Sequence, residues 1–148
     1  MAWVPYDAYL ENRYTAEYTA AIDHEGDTFK ICICTVTYTP NRATHIYYDD
    51  LTNEVTGTNY TAGGNEVANP DVGVAANVVT FDADDPATWA QDGSGFNDGR
   101  IAVLYKDSGV AGTSNLVAYN DFGSSKGNVD GDLAIELAAD GISAESSA

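Results

Sequence analysis

The stretch Thr28-Phe-Lys-Ile-Cys-Ile-Cys-Thr-Val-Thr-Tyr38 decides the fold. Its β-branched and aromatic residues follow a period of two, which is typical of a β-strand. Clusters of Gly, Asn and Asp separate this stretch from other stretches with the same pattern. We predict a strand from Phe29 to Tyr38. Cys32 and Cys34 would then share one face about 6.5 Å apart along the chain, too far for an unstrained disulfide. We therefore expect two buried thiols.

Similar patterns recur further along the chain and predict an all-β fold. The candidate strands are 72–81 with a bulge, 100–106, 115–122 and 132–137. The second and third of these are separated by eight polar or small residues, which indicates an antiparallel hairpin. About seven short strands with turns between them predict a single antiparallel β-sandwich of jelly-roll or Greek-key type. The segment from Thr39 to Pro70 is too long for a simple hairpin loop, and long segments of this kind are usually functional.

The N-terminal residues follow a different pattern from the rest of the chain. Tyrosines and Leu10 recur there at steps of three and four residues after Pro5, which predicts a short helix from residue 5 to about residue 20. We divide the chain into an N-terminal arm or short helix at 1–24, a β-sandwich domain at 25–142 and a flexible tail at 143–148.

Composition excludes several classes of function. The chain has 148 residues with six Lys and Arg against 23 Asp and Glu, which gives a formal net charge of −17. Such a charge repels phosphate, so we expect neither nucleic-acid binding nor attachment to anionic membranes. No segment approaches the ~20 apolar residues of a membrane span, and the N-terminus lacks the regions of a signal peptide. We expect synthesis in a cytoplasm.

Motifs for catalysis are weak. Gly123-Ser-Ser-Lys-Gly127 has the spacing of a nucleophile turn, but its fold needs a His after the serine, and His24 and His45 both precede it. The two histidines also lack the spacing of a zinc site. We expect no enzyme and no cofactor. One alternative stays open, a weak surface site for calcium or magnesium, whose candidate ligands are Asp82, Asp84 and Asp85 or Asp130 and Asp132.

Several longer strings resemble one protein family in matching order. They are Gly26-Asp-Thr-Phe-Lys-Ile31, Asn53-Glu-Val-Thr-Gly-Thr-Asn-Tyr-Thr-Ala-Gly-Gly64, Thr80-Phe-Asp-Ala-Asp-Asp85 with Trp89, Arg100-Ile-Ala-Val-Leu-Tyr-Lys-Asp107 and Leu116-Val-Ala-Tyr-Asn-Asp-Phe-Gly123 followed by a Ser-Ser-x-Gly turn. Together they cover roughly residues 25 to 142. The resemblance is to small β-rich virion structural proteins of tailed bacteriophages, whose members are described as tail, fibre or structural proteins.

The resemblance implies a structural component of a virion. Within a virion, the charge of the chain favours the outer surface of the head, because an inner protein would meet packaged DNA. We therefore expect a capsid decoration, or cement, protein whose partners are the major capsid protein and further copies of itself in a trimer. A tail, neck or fibre component is the alternative. A carbohydrate-binding module is a third possibility, supported by Trp3, Trp89 and ten tyrosines.

Candidate contact residues follow from the enrichment of aromatic residues and Arg at interface centres. They are Trp3, Tyr6, Tyr9, Arg13 and Tyr14 in the N-terminal segment, with Arg42 and Tyr60 in the long loop. The alternative for the N-terminal segment is a helix that caps the domain.

The alternation within each strand also predicts the core. The expected interior residues are Phe29, Ile31, Ile33, Val79, Phe81, Ile101, Val103, Tyr105, Leu116, Ala118, Leu133 and Ile135. Trp89 is expected to pack over one end of the domain.

Overall fold

The computed structural model describes residues 3–12, 22–138 and 141–146. The elements in chain order are β1 (Val4–Pro5), α1 (Asp7–Asn12), β2 (Phe29–Thr35), β3 (Asn65–Ala75), β4 (Val78–Asp84), β5 (Gly99–Lys106), β6 (Leu116–Lys126) and β7 (Ser143–Ser146). Two short 3-10 turns lie at Tyr48–Asp50 and Ala111–Thr113. The described helix covers part of the predicted one, and the remainder of that prediction, residues 13–20, lies outside the described residues.

All strand pairs are antiparallel, and hydrogen bonds join the strands in the order β1-β6-β5-β2-β3-β4-β7. The protein is therefore all-β with little helix, as the sequence predicted. The sheet is continuous and curls like half a barrel, so a closed sandwich of two sheets is not confirmed.

Strand β3 makes the curl possible because it pairs with a different neighbour along each part of its length. Asn65–Val67 pair with β2, whereas Ala68 and the residues from Asp71 to Ala75 pair with β4. The register shifts between Ala68 and Asp71, and Asn69 has a φ of 48° there. An extra residue of this kind is a β-bulge, which bends a strand and increases its local twist.

The central strands are buried on both faces. In the β2–β5 ladder Ile31 lies opposite Leu104 and Cys32 lies opposite Val103, so each pair shares a face and the two pairs lie on opposite faces. All four side chains have no exposed surface. The prediction that Ile31 and Val103 belong to a single interior is therefore wrong, because the sheet has one hydrophobic core on each side.

We call the face of Ile31 the first core and the face of Cys32 the second core. The first core consists of Tyr9, Phe29, Ile31, Ile33, Val55, Val67, Phe81, Trp89, Phe96, Ala102, Leu104, Val117, Ala118, Ile135 and Ile142. The second core consists of Tyr6, Cys32, Cys34, Tyr38, Ile101, Val103, Tyr105 and Leu116. Of the predicted core residues, Val79 is 46% exposed and Leu133 is only partly buried. Both cysteines are free and buried, as expected.

Several predicted strand boundaries are wrong. The single strand at 72–81 is a hairpin, because Ala76 and Asn77 turn the chain between β3 and β4 with φ values of 50° and 66°. The first residues of β3 fall within the segment predicted as a loop. The range 132–137 forms only an isolated bridge, between Trp89 and Leu133. Strand β6 extends through the predicted turn as far as Lys126.

The chain end also differs from the prediction. Ser143–Ser146, assigned to a flexible tail, pair with β4 as strand β7.

Burial on both faces can be tested by introducing a charged side chain into each core. Replacing Ile31 or Val103 with Asp places an unpaired carboxylate in the first or the second core, which costs several kcal/mol out of a typical ~5–15 kcal/mol stability. We expect neither variant to fold, as measured by soluble yield and circular dichroism. Val36→Asp is the control, because Val36 is 60% exposed. If either core variant folds with normal stability, the face on which it lies is not a core.

Candidate functional site

The predicted contact residues Tyr6 and Tyr9 are buried. Tyr6 belongs to the second core and Tyr9 to the first core. The hydroxyls of Tyr6 and Tyr38 are 3.0 Å apart, and the hydroxyl of Tyr9 lies 2.9 Å from Nε2 of His24. These two side chains therefore hold the N-terminal segment on the domain and are not available to a partner, which favours the capping alternative for this part of the segment.

Arg42 fastens the same segment from outside. Its Nε donates to the carbonyl oxygen of Pro5 at 2.9 Å, and its guanidinium lies 3.0 Å from a carboxylate oxygen of Asp7. The backbone N–H of Asp7 in turn donates to the carbonyl of Arg42 at 3.1 Å. Arg42 thus joins the long loop to the start of α1, rather than extending freely toward a neighbour.

The remaining predicted contacts have different positions. Trp3 is partly buried against the first core, and its indole N–H has no hydrogen-bond partner among the described residues. Arg13 and Tyr14 lie outside the described residues, so their prediction is untested. Tyr60 is largely buried and packs against Trp89 and Phe96 with ring centroids 6.2 and 5.4 Å away.

Glu54 is the main polar centre that the sequence analysis missed. Its Oε2 accepts a hydrogen bond from the hydroxyl of Tyr48 at 2.5 Å. Its Oε1 accepts one from the hydroxyl of Tyr60 at 2.5 Å and one from the backbone N–H of Gly63 at 2.7 Å. Tyr48 packs against the second core and Tyr60 against the first. The carboxylate therefore connects the coverings of the two faces.

The protonation of the tyrosines fits this arrangement. Burial, followed by the effects of nearby groups that include Glu54, raises the pKa of Tyr48 and of Tyr60 far above the usual value of a phenol. Both hydroxyls remain protonated and can donate to the carboxylate. Tyr60 also accepts a hydrogen bond from the backbone N–H of Ile33 at 3.0 Å, so it binds the loop directly to β2. In the sequence Tyr48 and Tyr60 lie six residues on either side of Glu54. Six residues along a strand separate two side chains by about 20 Å, and six residues along a helix place them on different faces, so only a folded loop brings the three together.

An open pocket of about 300 Å³ lies beside the second core. Lys30 and Asp107 form an ion pair on its wall at 2.6 Å, and the hydrogen bond from Lys30 lowers the pKa of Asp107. The rings of Tyr48 and Tyr105 pack on each other with centroids 4.8 Å apart, and Tyr105 donates to the carbonyl of Gly63 at 2.8 Å. The pocket thus offers a neutralised ion pair and tyrosines whose hydrogen bonds are made within the chain.

The carbohydrate-binding alternative gains nothing from Trp89. Trp89 is 1% exposed and forms a two-way backbone bridge with Leu133, with both N···O distances 2.9 Å. A ring at this depth has no free face for a sugar.

The residues considered for catalysis lie in different parts of the fold. Ser125 is exposed on β6. His24 contacts the hydroxyl of Tyr9, and Nδ1 of His45 lies 2.9 Å from the hydroxyl of Tyr38. Within the described ranges, no three His, Cys, Asp or Glu side chains form a group that could hold a metal ion.

The described ranges contain no helix with the length and hydropathy of a membrane span.

In the part of the chain that the structure describes, four basic side chains form ion pairs with aspartates. These pairs are Lys30–Asp107, Arg42–Asp7, Arg100–Asp121 and Lys106–Asp27. The hydrogen bond from Arg100 lowers the pKa of Asp121. Because the chain neutralises its own cations in this way, its surface is even less able to bind an anionic partner than the net charge alone indicates.

Comparison with known proteins places the chain in no group. No protein-family model, curated protein or solved structure matches it significantly.

The hydrogen bonds to Glu54 predict its contribution to stability. In Glu54→Gln the amide nitrogen donates and cannot accept, so at least one of the three donors loses its partner. We expect a loss of about 1.5–3 kcal/mol in the free energy of unfolding, the usual worth of hydrogen bonds to a charged group. Urea denaturation at neutral pH measures it.

Glu66→Gln is the matched control for this substitution. Glu66 is exposed on β3, so the same chemical change there should stay within about 0.5 kcal/mol of the wild type. Equal stability of the two variants would show that the carboxylate of Glu54 does not hold the loop.

Proposed function

We propose that this protein is a structural component of a bacteriophage virion, a decoration protein on the outer surface of the head that stabilises the capsid. The resemblance of the strings between residues 25 and 142 to a family of virion proteins supports a role in the virus particle. The chain is all-β, and we propose that it acts as a sandwich-like binding module. Such a module suits a role that needs a rigid surface. The proposal includes no catalytic activity.

The observation that carries the outer position is the internal pairing of the cations. A protein inside the head lies against packaged DNA, where binding depends on Lys and Arg that reach phosphates. Here Lys30, Arg42, Arg100 and Lys106 are bound to aspartates of the same chain, and the net charge is −17. Such a surface is repelled by DNA and is well solvated on the outside of a particle.

The major capsid protein is the proposed partner, with further copies of this chain in a trimer at positions of threefold symmetry. The alternative is a component of the tail, neck or fibre. It would use the same fold with a different symmetry partner, and copy number separates the two.

The proposal is tested by counting subunits in purified particles. Quantitative mass spectrometry gives the ratio of this protein to the major capsid protein. We expect one copy for every few capsid subunits, which corresponds to hundreds per particle. A few dozen copies would instead support a position in the tail, and absence from particles would exclude both the head and the tail.

A further inference from the structure

The hairpin of β3 and β4 carries an apolar face past the edge of the first core. Val72 lies opposite Phe81 and Val74 lies opposite Val79, so these two cross-strand pairs share one face. Phe81 is buried in the first core and Val72 packs against it. Val74 is 72% exposed and Val79 is 46% exposed. The face that begins in the core therefore continues into solvent toward the turn at Ala76 and Asn77.

The other exposed valines of the described chain do not form such a pair. Val36 is 60% exposed in the turn after β2, and Val110 is 61% exposed before the second 3-10 turn. Single exposed apolar side chains are common on protein surfaces and need no partner. Val74 and Val79 differ because they face each other across a ladder and extend a core face.

The hairpin is also strongly acidic. Residues 65–85 contain five carboxylates, Glu66, Asp71, Asp82, Asp84 and Asp85, and no Lys, Arg or His. Asp71 and Asp82 stand directly opposite each other in the ladder. Like charges in this position destabilise a strand pair, and departures from local rules of this kind are expected at functional sites.

We propose that the end of this hairpin, residues 72–81, is a docking element that binds an apolar groove lined by Lys and Arg on another protein. The exposed valine pair supplies the apolar contact, and the carboxylates of the hairpin select basic side chains. A second copy of this chain does not fit as the occupant, because four of its six basic residues are already paired with aspartates. The inference rests on the proposed function for its partner, the outer surface of the capsid.

The test uses particles that lack the protein and the purified full-length chain. We would measure the concentration of added protein that gives half-maximal occupancy of the particles, for the wild type and for Val74→Thr/Val79→Thr. Threonine keeps the β-branched shape and the strand propensity while it removes apolar surface. We expect the double variant to need about a tenfold higher concentration or more.

The matched control is Val36→Thr/Val110→Thr, which changes two exposed valines elsewhere. It should bind as the wild type does, and both valine variants should show the same circular dichroism and unfolding midpoint as the wild type. Equal binding by both double variants, or equal loss in both, would overturn the docking role of the hairpin while the proposed function survives. Failure of the wild type to bind would overturn the proposed function together with this inference.

A second variant separates docking from folding. Asp71→Asn/Asp82→Asn removes the repulsion across the ladder, so it should raise the unfolding midpoint while it weakens binding to the particles and reduces the dependence of binding on salt. A merely structural hairpin would bind better or unchanged when it becomes more stable. That result would contradict the proposal.

Discussion

The architecture follows from one constraint, that the central strands β2 and β5 are apolar on both faces. Antiparallel sheets commonly leave one face to solvent, but here Ile31 and Leu104 point to one side and Cys32 and Val103 to the other. Both sides must be covered by the same short chain. On the first core the cover includes Phe81 of β4 and the non-strand residues Trp89, Phe96 and Ile135, and on the second it includes Tyr6, Tyr38 and Tyr48.

Loops that cover a core lack the hydrogen-bond ladders of strands, so side-chain hydrogen bonds and ion pairs have to hold them in place. Glu54 provides it with one carboxylate that accepts from Tyr48 on one side and Tyr60 on the other. Arg42 does the same for the N-terminal segment through Pro5 and Asp7. The aromatic residues that suggested an interface are therefore largely committed within the chain. The acidic hairpin remains outside this fastening, which is why an interaction with a partner is assigned to it.

The sequence was sufficient for elements whose local pattern is strong. Strand β2 and the β5–β6 hairpin follow from runs of β-branched and aromatic residues with polar loops between them. The β3–β4 hairpin was missed because its turn is Ala76-Asn77, where the familiar signal is Asn-Gly or Asp-Gly. The range 132–137 alternates like a strand, but Leu133 and Ile135 instead pack as a loop over the first core.

The candidate site was less predictable than the fold. Alternation shows which residues share a face but not whether the opposite face is covered, so Tyr6 and Tyr9 were read as contacts when they are core residues. Glu54 has no motif, since its donors come from loop positions that only the folded chain brings together.

The two cysteines give the protein a built-in reporter of its own motions. Cys32 and Cys34 lie in the second core under Tyr6 and Tyr38, and burial raises the pKa of Cys32 well above that of a free thiol. Both thiols are fully buried, so neither can be alkylated until that cover opens. Labelling kinetics in native buffer would therefore measure the free energy of the opening that exposes the second core, without an introduced probe.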